Sequence, residues 1–191
     1  MSAAKNISLN LLGMDAPLFE YYPILLPDDV NLQRFAELNE MYTERFGLTR
    51  GQLVKRAHIS LDGKITAEDD DWIIKKIEKV ASESNPISVQ FGEVQQFPYW
   101  KNIILYLAIQ EHDEILMLNR LFMAELIAKT TKLKLHLTLL RNVAPELSAQ
   151  FQNSDLNLPK SCLLDKIAIL KKPHKSTVPY KTIAIVPIGK R

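Results

Sequence analysis

Cysteine and glycine are scarce in this sequence. Cys162 is the only cysteine among 191 residues, which excludes an internal disulfide and a cysteine-based zinc site. The six glycines do not form the glycine-rich loop that binds phosphate in P-loop proteins. We expect Cys162 to be an inert core residue, and we expect the protein to use neither a metal nor a cofactor.

Strong charge and long apolar runs are also lacking. The formal net charge of +2 is too small for general coating of nucleic acid, which requires many phosphate contacts. The longest apolar stretch, near residues 103–109, is far too short to cross a bilayer. The first residues are polar-interrupted and do not resemble a signal peptide. We therefore expect a cytoplasmic protein with no membrane partner.

Residues 132–141 alternate strictly between polar residues and leucine. A strand directs successive side chains to opposite faces, so Lys134, His136 and Thr138 share a polar face while the leucines form a buried one. Side chains two positions apart on one face lie about 6.5–7 Å apart along the strand. His136 and Thr138 are therefore predicted to point into the same space.

A second stretch, residues 53–61, repeats this pattern. Arg56, His58 and Ser60 share one parity, so each stretch reads basic-x-His-x-hydroxyl. A third match, His174-Lys175-Ser176, lies in a charged segment with prolines at both ends, which predicts a loop. If the motif occurred only once, the simpler interpretation would be a histidine without function on a solvated face of a sheet. Its repetition on two alternating stretches favours a functional site.

The rest of the chain predicts a mixture of strands and helices. Asp28 or Asp29 is a predicted helix start and Gly47 a predicted helix end. The acidic run before residue 71 indicates a second helix start rather than a metal site. Residues 95–100 predict a turn rich in aromatic residues. Further strands are predicted at 21–26, 87–91, 102–109, 163–170 and 180–187, and helices at 29–46, 66–84, 113–129 and 145–151.

Paired His-x-Ser/Thr motifs on strands, in this order and at this chain length, resemble the 2H phosphoesterase superfamily. That superfamily includes the 2′,5′ RNA ligase-like proteins and the RNA 2′,3′-cyclic phosphodiesterases. The resemblance implies an α+β fold of two pseudo-symmetric lobes, each an antiparallel sheet with helices on its outer face. The active-site cleft would lie between the lobes. We expect one bilobal domain over residues 20–191, preceded by an N-terminal lead-in, residues 1–19.

The resemblance also assigns roles to the four motif residues. His58 and His136 would be the catalytic acid/base pair, and Ser60 and Thr138 would bind phosphate. We expect His136 to activate water and His58 to protonate the leaving oxygen, because imidazole exchanges protons near neutral pH.

Other candidate residues follow from their positions. Arg56 and Lys134 would favour negative charge on phosphate, although plain surface solvation explains them equally well. Several aromatic residues offer a stacking surface for a base, although core packing is the simpler explanation for each. These residues are Tyr22, Phe97, Tyr99, Trp100 and Tyr180.

Three functions are compatible with the sequence. The first is a metal-independent phosphodiesterase, active as a monomer, that hydrolyses 2′,3′-cyclic phosphates on RNA ends or nucleotides, or 2′-5′ linkages. The second is a nucleotide- or RNA-binding module with the same fold and little catalysis. The third is an α+β scaffold for protein contacts. The intact motifs favour the enzyme, with an RNA terminus or small nucleotide as its partner.

Overall fold

The computed structural model describes residues 16–110, 112–152 and 157–189 of the chain. Within these residues the chain forms eight strands and four helices, and the strand pairings are antiparallel. The elements in order are β1 (Phe19–Pro27), α1 (Asp29–Phe46), β2 (Ile59–Ser60), β3 (Lys64–Thr66), α2 (Asp70–Ser82), β4 (Ile87–Tyr99), β5 (Asn102–Ile109), α3 (Asp113–Glu125), β6 (His136–Val143), α4 (Pro145–Gln152), β7 (Ser161–Pro173) and β8 (Lys181–Pro187).

The strands of the sheet pair in a closed circle. The order is β3-β1-β2-β6-β5-β4-β7-β8, and β1 also pairs with β7. Six strands, from β1 through β2, β6, β5 and β4 to β7, therefore form a closed ring, and β3 and β8 extend it. The predicted α+β class with antiparallel sheet is confirmed, whereas the equivalence of two lobes stays a prediction.

Strand β1 is buried on both faces. Tyr21 and Leu25 belong to the main core, which also includes the buried faces of the helices. Ile24 lies in a second, smaller cluster with Leu26 and Ala168. Because Ile24 is the Cα partner of Ser60, this second cluster lies on the same face of the sheet as the Ser60 side chain.

The helix boundaries follow local capping rules. The Asp28 carboxylate accepts a hydrogen bond from the Asn31 amide at 2.9 Å at the start of α1, and Gly47 ends that helix in the left-handed region with φ 62°. Asp69 caps α2 by accepting from the Trp72 amide at 2.7 Å. The predicted caps of α1 are confirmed. No helix in the described ranges is both long and apolar enough to cross a membrane.

The aromatic turn predicted at residues 95–100 is wrong. Residues 95–99 continue β4 and pair with β5. A register shift between Phe91 and Val94 inserts an extra residue, which interrupts the alternation and hides the strand in the sequence. The turn is confined to Trp100 and Lys101.

The two histidine stretches are shorter as strands than the alternation predicts. Only Ile59–Ser60 of residues 53–61 is strand, with an isolated bridge from Leu53 to Leu140. The second strand begins at His136, and residues 132–135 precede it without strand pairing.

One short strand and two helix boundaries also differ from the prediction. Strand β3 is absent from the sequence prediction, α2 begins at Asp70 rather than at residue 66, and α3 ends at Glu125 rather than at residue 129. Most of the predicted lead-in, residues 1–15, lies outside the described residues, and β1 begins at Phe19.

Cys162 is buried in β7, where burial raises the pKa of its thiol to about 12. Its predicted core position is confirmed.

Candidate active site

The two His-x-Ser/Thr motifs meet at one cross-strand pair. Ile59 and Leu137 are Cα partners in an antiparallel ladder and are 0% and 1% exposed. In this register His58 lies opposite Thr138, and Ser60 lies opposite His136. Side chains that face each other across an antiparallel pair share one face, with diagonal neighbours about 7–8 Å apart. The structure therefore brings the four motif residues together on one face.

Both imidazole rings are held by the same type of hydrogen bond. Nδ1 of His58 lies 2.8 Å from the carbonyl oxygen of Arg56, and Nδ1 of His136 lies 2.6 Å from that of Lys134. A carbonyl oxygen only accepts, so each Nδ1 carries the proton. Nε2 of each neutral ring is then the nitrogen that can accept a proton.

The pKa of His58 is lowered. The largest cause is burial, which disfavours the charged ring. Positive charge on Arg141, His136 and Arg56 lowers the pKa further, and the bond to the Arg56 carbonyl opposes these effects. The free protein therefore keeps His58 neutral at neutral pH, which is the protonation state of a general base.

Arg141 is a site residue that the sequence prediction missed. Thr138 pairs with Tyr106 and Leu140 pairs with Leu105, so Leu139 is an extra residue in β6. After this bulge Arg141, not the fully buried Leu140, takes the exposed position. The consecutive leucines at 139 and 140 are the one sequence signal of this bulge.

The site has an unbalanced positive charge. Arg56, Lys134 and Arg141 are exposed, and none of them forms an ion pair with another described residue. Two of them act electrostatically on His58. Cations that surround a polar face without carboxylate partners favour the binding of an anion there.

An aromatic wall supports His136. The rings of Tyr106 and Phe97 lie 5.1 Å and 5.5 Å from the imidazole, both in edge-to-face geometry. The Lys134 ammonium lies 4.9 Å from the Tyr106 ring and 5.7 Å from the Phe97 ring. Tyr106, which sequence reasoning also missed, is 1% exposed and donates a hydrogen bond to Gln95 Oε1 at 2.9 Å.

A tyrosine pair lies on the Ser60 side of the site. Tyr22 lies beside Ser60, whose hydroxyl acts to lower the pKa of the phenol, although burial is the larger influence and raises that pKa. The Tyr22 and Tyr180 rings are 6.0 Å apart, and Tyr180 donates to Glu20 Oε2 at 2.7 Å. Tyr22 therefore borders Ser60, and Tyr180 lies next to Tyr22.

Trp100 lies apart from the histidines. It occupies the turn between β4 and β5 and is 93% exposed. The core packing that we considered the simpler explanation for Trp100 is therefore wrong.

A buried network joins the segments that carry the two motifs. The Asp62 carboxylate accepts hydrogen bonds from Asn119 Nδ2 at 2.8 Å, from the Thr131 amide at 2.9 Å and from the Thr131 hydroxyl. The Asp62 amide donates to Asn119 Oδ1 at 2.9 Å. Asp62 follows Ser60 by two residues and Thr131 precedes His136 by five, so the network fixes one segment against the other.

Metal-ligating residues do not cluster in the described part of the chain. No group of three or more histidine, cysteine, aspartate or glutamate side chains is arranged there to hold a metal ion.

Paired His-x-hydroxyl motifs on an antiparallel α+β fold define a two-histidine protein of the 2H type. The sequence profile of the 2′-5′ RNA ligase superfamily matches residues 27–175, and the chain belongs to that superfamily. No curated protein sequence matches the chain.

Solved structures share the fold. TT0787 of Thermus thermophilus is 17% identical with a TM-score of 0.58, and the match covers 89% of this chain and 97% of that one. E. coli LigT complexed with phosphate is 12% identical with a TM-score of 0.53, over 93% and 100% of the two chains. E. coli LigT complexed with 3′-AMP is 12% identical with a TM-score of 0.52, over 91% and 99%. Membership of a phosphoesterase superfamily supports a phosphodiesterase-like enzyme.

Proposed function

We propose that the protein is a metal-independent phosphodiesterase that hydrolyses 2′,3′-cyclic phosphates on RNA ends or nucleotides. The observation that carries this proposal is the Ile59–Leu137 pair, because it sets two histidines and two hydroxyls on one face. The Nδ1 bonds to backbone carbonyls leave Nε2 of each ring to exchange protons. Two such nitrogens supply both the base and the acid of a phosphodiester hydrolysis.

The lowered pKa of His58 supports a reversal of the roles expected from the sequence. Nε2 of neutral His58 takes a proton from water as the new phosphorus–oxygen bond forms. Nε2–H of protonated His136 then gives its proton to the ribose oxygen that leaves as the second phosphorus–oxygen bond breaks. The product is a phosphomonoester beside a free ribose hydroxyl.

Five further side chains would stabilise the reacting phosphate. Ser60 and Thr138 would donate hydrogen bonds to the non-bridging oxygens. Arg141 and Lys134 would stabilise the negative charge that develops on those oxygens. Arg56 would contribute chiefly through its field, as it does in lowering the pKa of His58.

A nucleotide is the substrate that best suits the surroundings of the site. LigT, which shares this fold, has been crystallised with phosphate, 3′-AMP and NADP+. In this chain Tyr22 lies beside Ser60 and Tyr180 lies beside Tyr22, and the two rings would stack on a base. A 2′-5′ linkage also places a ribose hydroxyl next to phosphate and suits the same site. A monomeric protein acting in the cytoplasm stays our prediction.

One observation favours the alternative of a binding module with little catalysis. The Ser60 hydroxyl lies close enough to the Tyr22 phenol to lower its pKa, so it would have to turn from Tyr22 towards a phosphate oxygen. A protein in which Ser60 stays with Tyr22 would bind nucleotides but turn them over slowly.

The test uses a short RNA that ends in a 2′,3′-cyclic phosphate, incubated with the protein in excess EDTA and followed by phosphorus NMR. We expect ring opening, and we expect H58A and H136A each to slow it by roughly 10²–10⁴-fold. H112A is the matched control, because His112 is an exposed histidine at the start of α3. Binding of the RNA without opening would support the module. Neither binding nor opening would support the scaffold, and full activity in both histidine variants would reject the two-histidine mechanism.

A further inference from the structure

The β4–β5 hairpin ends in two exposed aromatic residues. Trp100 is 93% exposed and Tyr99 is 50% exposed. Trp100 also adopts a left-handed backbone conformation with φ 58°, which glycine would adopt without strain. Large aromatic side chains that neighbour each other in water, one of them in an unfavourable conformation, indicate a binding surface rather than a folding requirement.

This exposed tip is continuous with the histidine site. Gln95, Phe97 and Tyr99 alternate along β4 and share one face. Phe97 lies against His136, with a ring separation of 5.5 Å. Since a strand rises about 3.4 Å per residue, Tyr99 lies roughly 7 Å beyond Phe97 in the direction of Trp100. Phe97 and Tyr99 therefore form a row that starts at His136 and ends at the turn that carries Trp100.

Cations accompany this row. The Lys134 ammonium lies 5.7 Å from the Phe97 ring, and Lys101 is exposed in the turn itself. Asn102 Nδ2 donates to Asn142 Oδ1 at 2.6 Å, which fastens the tip to the end of β6 beside Arg141. Aromatic side chains that alternate with positive charge are the features that bind single-stranded nucleic acid, through stacking of bases and attraction of phosphates.

We propose that the tip of the β4–β5 hairpin binds the single-stranded RNA that leads to the reacting phosphate, so that the protein selects oligonucleotide ends over mononucleotides. This inference rests on the proposed function. Single-stranded RNA is the occupant, because bases can stack on protein aromatics only when they are not stacked within a duplex. The hairpin tip would hold the nucleotides that precede the terminal one.

The test compares kcat/KM for a five-nucleotide RNA ending in a 2′,3′-cyclic phosphate with kcat/KM for the corresponding cyclic mononucleotide. The wild-type protein should prefer the oligonucleotide. We expect the double variant Y99A/W100A to reduce the ratio of the two values by about tenfold or more, since two stacking contacts are lost. V30A, which removes an apolar side chain on α1 that is 78% exposed, should leave the ratio unchanged. An unchanged ratio in the double variant would overturn the inference while leaving the phosphodiesterase intact.

Binding separates this inference from the proposed function. The protein has two tryptophans, Trp72 and Trp100. Titration with a five-nucleotide RNA that ends in a 3′-phosphate should quench tryptophan fluorescence, and the quenching should disappear in W100A, which keeps Trp72. Quenching by this RNA, together with no opening of the cyclic phosphate in the kinetic assay, would support the RNA-binding tip and reject the enzyme. Hydrolysis with no quenching would reject the tip and leave the enzyme.

Discussion

Ile59 and Leu137 lie directly opposite each other between β2 and β6, and each is almost completely buried. The pair acts as a local two-fold centre, because on either side of it a histidine faces a hydroxyl residue. Each histidine also bonds the backbone carbonyl two residues before it. The two motifs are therefore alike in sequence, in pairing and in the anchoring of their rings.

The effect of the Arg141 charge on the pKa of His58 can be tested through the pH dependence of kcat/KM. Neutral His58 is the proposed base, so kcat/KM should fall as the pH drops through its pKa, which lies below the ordinary 6.5. Arg141 is one of the charges that lower this pKa. Replacing it by glutamine should raise the pKa of His58 and move the acid limb of the pH–kcat/KM profile to higher pH.

The control for this shift is K55Q. Lys55 is an exposed cation next to Arg56 in the chain, yet it is not among the charges that lower the pKa of His58. An acid limb that stays in place in R141Q, or that moves equally in K55Q, would show that His58 is not the group that titrates there.

Variants of Tyr106 test whether the aromatic rings beside His136 hold its imidazole in place. Its ring lies 5.1 Å from His136 and its hydroxyl bonds Gln95. Y106L removes the ring, so His136 loses its support and kcat should fall on the order of 10- to 100-fold, with a smaller change in KM. Y106F keeps the ring and should remain within a few-fold of wild type. Equal losses in both variants would assign the effect to the hydroxyl instead.

Asp62 should contribute to stability as well as to the site. Its buried carboxylate accepts three hydrogen bonds, so D62N removes the negative charge that strengthens them and should lower the free energy of unfolding by about 1–3 kcal/mol. Urea denaturation measures this change. E40Q, which alters an exposed carboxylate on α1, is the control and should change it by less than about 0.5 kcal/mol.

The same network has a pH dependence. Its hydrogen bonds hold the pKa of Asp62 below the ordinary value, against the opposing effect of burial. The pKa of Asp62 in the unfolded chain is about 3.9, and above this pH the charged carboxylate contributes its full stabilisation of the fold. This contribution is lost as the pH falls from that value through the lower pKa of the folded state. Between these two pH values wild-type stability should fall more steeply than that of D62N. Parallel curves would contradict the assignment.

Chelation tests the claim of metal independence. The proposed proton transfers use Nε2 of His58 and His136 and the charges of lysine and arginine, so prolonged dialysis against EDTA should leave kcat/KM unchanged. Inactivation by EDTA that is reversed by a divalent cation would reject this mechanism. Metal analysis of the dialysed protein provides the necessary control.

The sequence predicts those features that local rules determine. Asp28 and Gly47 mark the ends of α1 because capping depends on neighbouring residues alone. His58 and His136 stand out because alternation is visible within a few residues. The membership of a two-histidine superfamily followed from those two stretches.

The remaining site residues depend on contacts between distant strands. Tyr106 supports His136 only because β5 pairs with β6 in a particular register. Arg141 takes its position because Leu139 forms a bulge, and Asp62 meets Thr131 through a buried network. Periodicity in a single sequence does not give the register between strands. The consecutive leucines at 139 and 140 mark the bulge before Arg141, but only the structure shows which residues these pairings bring to the site.

Neighbouring strands of the closed ring differ in the number of residues that pair between them. One Cα pair links β2 to β6, supplemented by the isolated bridge from Leu53, whereas four consecutive pairs link β4 to β7. Local opening requires less free energy where fewer backbone hydrogen bonds must break. The amides of residues 59 and 137 should therefore exchange with solvent sooner than those of the β4–β7 ladder. We therefore expect local opening to begin at the seam that carries both histidines, where the Asp62–Thr131 bonds oppose it.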